Sequence, residues 1–284
     1  MKKHLLLLMT FLAGGIMTAS AYVLKVGNLA VNSSNASHIE GNWFDAGYAS
    51  FDASSRTLTL HSVTIDMGTS GYSALDSNID GLTIICEGDN YLKGSGANNI
   101  YLDGTTTFQG KGSGSLTIEN SGETDSWSMI RQVRSNSFIY IFGMKMDVRS
   151  TGTSSTSARP FGCSGNATSI IDIRESEVTI KGNNPYARPF GDFKILISDA
   201  FIPGYHWTQG EVGIYRDEDN VEVTKGTFHV TPYLKFGKRV IPTSSSNTSI
   251  SNIEGLQEGT VGYSQNTKTL TLTNINYSGT DGIR

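Results

Sequence analysis

One short motif occurs twice in this chain and constrains the fold that the sequence can adopt. The letters ARPFG stand at 158–162 and again at 187–191, 29 residues apart. Each copy leads into a run in which isoleucine alternates with other residues, at 171–173 after the first copy and at 195–197 after the second. Repeats of about 20 to 50 residues are typical of solenoids, in which each unit buries its apolar face against its neighbours. The sequence therefore predicts a stack of β-coils.

A third run of the same kind stands at 139–141, 32 residues before the run at 171–173. Because successive side chains of a strand point to opposite faces, stacking these runs puts their isoleucines in one inward column. The residues between the isoleucines then form an outward column. In that column the stacking pairs Tyr140 with Asp172 and Phe142 with Arg174.

Composition supports an all-β fold with few helices. The chain has 32 glycines, only 17% charged residues and no sustained period of 3.6 outside its first residues. Short alternating runs at 82–86, 100–102 and 116–118 are separated by Gly, Asn and Asp clusters, which supply the positive φ angles of tight corners. No two-residue hairpin signal recurs between them, which favours a parallel coil over an antiparallel meander. The polar stretch 121–135 reads as a loop.

The beginning of the chain returns near its end. Residues 233–237 repeat 23–27 at an offset of 210, and YSQNTKTLTL at 263–272 repeats FDASSRTLTL at 51–60 at an offset of 212. Ile-Glu-Gly at 39–41 also recurs, at an offset of 214. We therefore predict one β-helix module over 22–231, closed by an acidic hairpin, and the truncated start of a second copy over 232–284. A stack cut there leaves an open edge, so we expect the sequence to be part of a longer protein.

The first 21 residues have the pattern of a signal peptide. Lys2 and Lys3 precede an apolar run, and Ala19-Ser20-Ala21 supplies the small residues that cleavage before Tyr22 requires. The apolar run is too short for a membrane span. We expect a protein exported by a cleaved signal peptide to the periplasm, the cell surface or the medium, with no membrane span after cleavage.

The net charge of the chain limits its possible partners, and its cysteine content limits its possible disulfides and metal sites. Without Lys2 and Lys3 the chain has 20 basic and 26 acidic residues, a formal charge of −6, and no basic cluster, so we expect no nucleic-acid partner. Cys86 and Cys163 allow two alternatives, buried free thiols or one disulfide. Two isolated cysteines do not make a zinc site.

The strand motifs resemble a family. The segments T-L-T-L at 57–60 and D-G-L-T-I at 80–84, with G-x-G-x-L-T-I at 112–118 and the acidic hairpin, resemble the tandem-repeat exported proteins of anaerobic Gram-negative bacteria. Their modules look like right-handed parallel β-helices of the pectate-lyase-like kind, and the resemblance covers 22–284. It implies export and that fold, with carbohydrate-binding or cell-surface roles suggested by analogy.

The sequence offers no residues for catalysis, metal binding or a cofactor. Glycosidic hydrolysis uses two carboxylates on one face, yet no Asp-Asp pair or G-H-G motif is present, and Asp76, Asp80 and Asp103 stand beside turn signals. The acidic run 217–219 lacks the spacing of a calcium loop and reads as a hairpin turn. His61 points outward on its strand. We therefore favour a protein that is not an enzyme.

Binding is the function that the residues favour. Sugar rings stack on exposed aromatic faces, and alternation places Tyr101, Tyr140 and Phe142 outward, with Trp127 in the predicted loop. We predict a binding or adhesion module for a polysaccharide or a host or cell-surface glycan. Two alternatives remain open, a structural repeat of a larger exoprotein and a polysaccharide lyase or glycoside hydrolase.

Overall fold

The described residues of the computed structural model form a β-solenoid. They are residues 23–278 without 124–127, 156, 165–168, 186–187, 199, 237–238, 243–248, 251–252, 254, 265 and 268. The predicted signal peptide, 1–21, lies outside them. The fold is all-β, without a helix among the described residues, and is a parallel solenoid of about five turns. The predicted fold class is confirmed.

Twenty-two strands form the described fold. They are β1 (Leu24–Val26), β2 (Leu29–Ala30), β3 (Phe44–Asp52), β4 (Thr57–Asp66), β5 (Leu75–Ser77), β6 (Leu82–Gly94), β7 (Ile100–Leu102), β8 (Thr106–Asn120), β9 (Ser128–Gln132), β10 (Phe138–Phe142), β11 (Lys145–Ser150), β12 (Arg159–Cys163), β13 (Ile170–Arg174), β14 (Glu177–Gly182), β15 (Lys194–Ser198), β16 (Ala200–Phe201), β17 (Tyr205–His206), β18 (Tyr215–Arg216), β19 (Gly226–Phe236), β20 (Arg239–Pro242), β21 (Leu256–Ser264) and β22 (Thr269–Tyr277).

Three faces surround the core. Face I consists of β5, β7, β9 and β12 in parallel, with β1 antiparallel to β5 at its end. Face II consists of the first halves of β4, β6 and β8, followed by β10, β13 and β15. Face III consists of the second halves of the same three long strands, followed by β11 and β14. Each of the first four coils therefore contributes one strand segment to each face, and β13, β14 and β15 add segments to faces II and III only.

The register of face II is the predicted one. Ile139 lies beside Ile171, and Ile171 lies beside Ile195. All three side chains are buried in a core that runs through the whole stack. Burying each such side chain contributes about 1.5–3 kcal/mol. The outward pairs Tyr140 with Asp172 and Phe142 with Arg174 are also confirmed.

A residue with left-handed φ turns each coil from face II to face III. The five residues at this corner, one per coil, have φ between 50° and 69°. They are Ser62, Gly88, Gly112, Gly143 and Glu175. Glycine adopts this conformation freely, whereas a residue with a Cβ is strained by about 1–2 kcal/mol. Ser62 and Glu175 therefore hold strain that the three glycines do not.

The stretch 121–135 was expected to be a loop, and this prediction is wrong for residues 128–132. Its residues 128–132 form β9 of face I, where Ile130 and Gln132 are fully buried. Gln132 Nε2 donates a hydrogen bond of 2.7 Å to the carbonyl of Gly104. A polar residue whose hydrogen-bonding groups find partners inside can occupy a core position, and this hides the alternation from the sequence.

Antiparallel and irregular segments cover the last coils. β19 pairs antiparallel with β14 through residues 226–230 and closes face III. At the free edge of β15, the side-chain amide of Gln209 accepts from Ile197 N at 3.1 Å and donates to Ile197 O at 2.7 Å. The same edge bonds to the backbone of 210–211. These groups take the place of a further strand.

The C-terminal strands repeat the N-terminal pairing. Every residue pair between β21 and β22 corresponds to a pair between β3 and β4 at the offset of 212, including both register shifts. The pairing of β19 with β20 repeats that of β1 with β2 at the offset of 210. Two separate hydrophobic clusters, from Leu24 to Val230 and from Phe236 to Tyr263, lie on either side of the predicted module boundary at 231/232. That boundary falls inside β19, and the modules 22–231 and 232–284 stay a prediction.

One of the sequence matches is out of register. Ile39 N donates to Ala49 O at 2.7 Å, and in the second hairpin Ile250 N donates to Val261 O at the same distance. Ile250, rather than Ile253, therefore occupies the place of Ile39. The recurrence of Ile-Glu-Gly does not align equivalent residues.

Substitutions at the corner residues of neighbouring coils should change the free energy of unfolding in opposite directions. Glu175→Gly removes left-handed strain of about 1–2 kcal/mol but makes the unfolded chain more flexible, so we expect a net gain of about 0.5–1 kcal/mol in the free energy of unfolding. Gly143→Ala, whose added Cβ would meet no atom within 4 Å, should lose about 1 kcal/mol. Urea unfolding checks both values. A loss of stability in Glu175→Gly would contradict the strained corner.

Candidate functional site

Alternation in β10 places three aromatic side chains on the outside of face II. Phe138, Tyr140 and Phe142 follow one another at intervals of two residues, while Ile139 and Ile141 between them are fully buried. The rings of Phe138 and Tyr140 lie 5.3 Å apart with an interplanar angle of 2°. Phe142 is 39% exposed. The fourth coil therefore carries an aromatic surface, whereas the paired positions of its neighbours hold Thr107 and Gln109 on one side and Ile170, Asp172 and Arg174 on the other.

A shallow groove of about 210 Å³ opens at this surface. It is lined by Thr107, Tyr140, Ile141, Phe142, Asp172 and Arg174. These residues come from three successive coils, since Thr107 and Asp172 flank Tyr140 in the register of face II. We call it the face II groove. Its aromatic floor and charged rim combine the two types of contact that hold small polar ligands.

An ion pair forms the rim of the groove. Arg174 Nε and Nη2 lie 3.0 Å and 2.5 Å from the two carboxylate oxygens of Asp172. The Asp172 side chain is 3% exposed, and the Arg174 side chain is 54% exposed. A bidentate pair fixes the guanidinium plane. The buried carboxylate thus orients an accessible cation beside the aromatic rings.

Of the three described residues that were predicted to bind ligand, the structure brings two together. Tyr140 and Phe142 share the groove. Tyr101 lies in β7 of face I, between Asp76 and Arg131, and belongs to a different surface. Trp127 lies outside the described residues. Alternation predicts that a side chain points outward, but it does not say on which face of the coil.

Sequence reasoning missed Phe138 and the Asp172–Arg174 ion pair. The spacing 138, 140, 142 carries the signal for Phe138, because all three positions share one side of a strand. The ion pair has a weaker signal, an acid and a base two residues apart in β13. The position of this ion pair at the groove follows only from the stacking of β13 on β10.

A second cavity of about 600 Å³ lies at the closing end of the stack. Its lining includes Tyr205, Trp207 and His206. His206 Nδ1 lies 3.2 Å from Asp217 Oδ1, and His206 Nε2 lies 3.0 Å from Asn220 Oδ1. Both ring nitrogens therefore face oxygen atoms of the acidic hairpin, and residues 217–219 form the predicted turn.

The carboxylates near the predicted turns form hydrogen bonds and ion pairs between successive coils. Asp80 Oδ1 accepts a hydrogen bond of 2.8 Å from Thr105 N, which fits the turn-forming role expected of it. Arg134 lies 3.6 Å from Asp80 and 3.1 Å from Asp103, so one guanidinium joins the same corner in three successive coils. Among the described residues no group of three or more His, Cys, Asp or Glu is placed to hold a metal ion.

The two cysteines are free thiols rather than a disulfide. Cys86 is buried in face II, and this burial raises the pKa of its thiol to about 12. Cys163 is half-buried in face I, and burial also raises the pKa of its thiol. Since the thiolate is the nucleophile, neither cysteine is suited to thiol chemistry.

Comparison with known proteins finds no match to a family model, a curated protein or a solved structure. Within the described part of the chain, no helix has the length and apolar character needed to cross a membrane.

Thiol reactivity tests the state of the cysteines. In native protein prepared without reductant, we expect Cys163 to react slowly with a disulfide reagent and Cys86 more slowly still, because both thiols are protonated and at least half-buried. In concentrated guanidinium chloride, two thiols per chain should react at once. Cys86→Ser and Cys163→Ser assign the two phases. Finding no reactive thiol in denaturant would show a disulfide instead.

Proposed function

We propose that this chain is an exported β-solenoid repeat protein that binds polysaccharide through the face II groove without cleaving it. The observation that carries the proposal is the aromatic surface of Tyr140 and Phe142 beside the exposed Arg174. The N-terminal pattern of charge, apolar run and small residues supports export. The family resemblance supports attachment to a cell surface or release to the medium.

The chemistry of the groove suits a sugar chain. The apolar C–H face of a pyranose packs against an aromatic ring, and the 39% exposed Phe142 and half-buried Tyr140 offer such rings. The guanidinium of Arg174 presents N–H donors to hydroxyl or carboxylate oxygens at the rim. Successive coils lie about 4.8 Å apart, so the outward column is a flat, periodic surface along which an extended polymer can lie.

The groove is not equipped for glycoside hydrolysis. That reaction uses two carboxyl groups about 5 to 10 Å apart. Asp172 is the only acid among the residues that line the groove, and its oxygens are both bonded to Arg174. A general acid must hold a proton that it can donate, and a carboxylate in a bidentate ion pair does not. Binding without cleavage is the function that this arrangement supports.

A structural repeat within a larger exoprotein is the second candidate. It is favoured by the second hairpin, β21 with β22, whose pairing repeats that of β3 with β4. A repeated β-unit can serve as a spacer regardless of its outer residues. The two candidates differ in whether the aromatic groove matters.

Retention on immobilised plant and host glycans separates them. For a glycan that the parent retains, Tyr140→Ala and Phe142→Ala should each weaken binding at least about tenfold, which corresponds to 1.4 kcal/mol, because the stacking surface is lost. Tyr72→Ala is the matched control, since Tyr72 is 56% exposed and lies outside the groove.

Two outcomes would decide against the groove. Unchanged retention in both groove variants would remove it as the binding site. A parent that retains none of the glycans would leave the structural repeat as the better description. Urea unfolding of each variant should match the parent, because outward side chains contribute little to the core.

A further inference from the structure

A serine, a histidine and a glutamate lie in a line of close polar contacts at the N-terminal end of face II. Ser50 Oγ lies 3.1 Å from His61 Nε2, and His61 Nδ1 lies 3.2 Å from Glu87 Oε2. The three side chains come from adjacent strands, β3, β4 and β6. The His61 side chain is 24% exposed, so a small molecule can approach it.

The charge of Glu87 sets the direction of the hydrogen bonds. Lys111 Nζ donates to Glu87 Oε1 at 3.1 Å, and this bond, with the nearby positive charge, lowers the pKa of the Glu87 carboxyl. An ionised carboxylate only accepts, so in the neutral imidazole His61 Nδ1 carries the hydrogen and Nε2 is the acceptor. Ser50 Oγ–H then donates to His61 Nε2. This is the order in which a nucleophile, a base and an orienting acid are arranged in hydrolases.

An aromatic stack holds the imidazole in place. The ring of Tyr48 lies 4.4 Å from the ring of His61 at an angle of 17°, and His38 stacks on the other face of Tyr48 at 4.4 Å. His38 Nε2 is in turn 2.9 Å from Glu40. The ring of His61 is thus held by stacking on one face, by the hydrogen bond between Nε2 and Ser50 Oγ, and by the close contact between Nδ1 and the Glu87 carboxylate.

The second hairpin shows that the fold does not require this line of residues. At the offset of 212, Gly262 stands where Ser50 does and Thr273 stands where His61 does. The strands β21 and β22 nevertheless keep the pairing of β3 and β4, and Gly259 and Asn274 keep the positive φ of Gly47 and Ser62. The backbone geometry repeats, whereas the Ser–His–Glu chemistry does not.

We propose that Ser50 is a nucleophile that accepts acyl groups from activated esters, with His61 as its general base and Glu87 as a positioning residue. Ser50 Oγ attacks the ester carbonyl, and its proton passes to His61 Nε2. The tetrahedral intermediate expels the alkoxide or phenoxide, which takes that proton and leaves as the alcohol. Water attacks the acyl-Ser50 with His61 again as base, and the acid and free Ser50 are formed.

The surrounding backbone limits the class of substrate. The amides of Ala49 and Phe51 already donate to Ile39 O and Ala36 O, at 2.9 Å and 2.6 Å. Neither amide is available to stabilise an oxyanion, and such donors are worth about 10²–10³ in rate. General base catalysis alone contributes about 10²–10⁴. Esters with good leaving groups are therefore within reach, and amides are not.

A fluorophosphonate probe tests the nucleophile directly in the full chain. We expect one phosphonyl adduct, located on Ser50 by peptide mass mapping. His61→Gln should lower the labelling rate at least about tenfold. Glu87→Gln should lower it while the fold, followed by circular dichroism, is unchanged.

Ser54→Ala is the matched control, because Ser54 Oγ bonds to Asp52 at 2.7 Å and has no contact with a histidine. It should label like the parent, and Ser50→Ala should not label. Absence of an adduct on Ser50, or equal labelling rates in the parent and His61→Gln, would overturn the proposal and leave the line of residues as a surface hydrogen-bond network. The polysaccharide groove is unaffected by either result.

Discussion

Parallel stacking of identical strand positions is the constraint on which the rest of this structure depends. Each coil is too thin to enclose its own apolar side chains, so Ile139 is buried only because Ile171 lies in register beside it. For the same reason, the strands at the ends of the stack need another segment to cover them. At one end the β15 edge is covered by Gln209 and its neighbours, and β19 turns antiparallel to close face III.

Much of this architecture could be predicted from the sequence, for a physical reason. A slip of one residue would turn an entire strand inside out, so the spacing of isoleucines at 139–141, 171–173 and 195–197 determines the register uniquely. The prediction failed at β9, where Gln132 is inward and polar. It also failed where the Ile-Glu-Gly match aligned Ile253 with Ile39. The backbone pairing, which defines equivalent residues, aligns Ile250 with Ile39 instead.

The candidate sites were less predictable than the fold, because outward positions do not have to agree between coils. Tyr140 stands beside Asp172 and Thr107 without any cost to the core, so neighbouring coils place few limits on one another. The position of a corner decides which outward residues meet, and that position depends on one left-handed residue. Ser62 and Glu175 adopt this conformation although neither is a glycine, so the sequence does not indicate these two corners.

The charges of face III help to separate stabilising surface from binding surface. Lys93 Nζ lies 2.8 Å from Asp66, and Arg149 Nε lies 3.0 Å from Glu119, so at this position acids and bases alternate over the first four coils. Opposite charges on adjacent strands stabilise a sheet modestly, and like charges there would repel. Face II instead presents the aromatic rings of β10 beside the half-exposed Arg174. A surface whose groups are paired across the stack is explained by the stack itself, and the different character of face II supports the proposal that this surface binds a ligand.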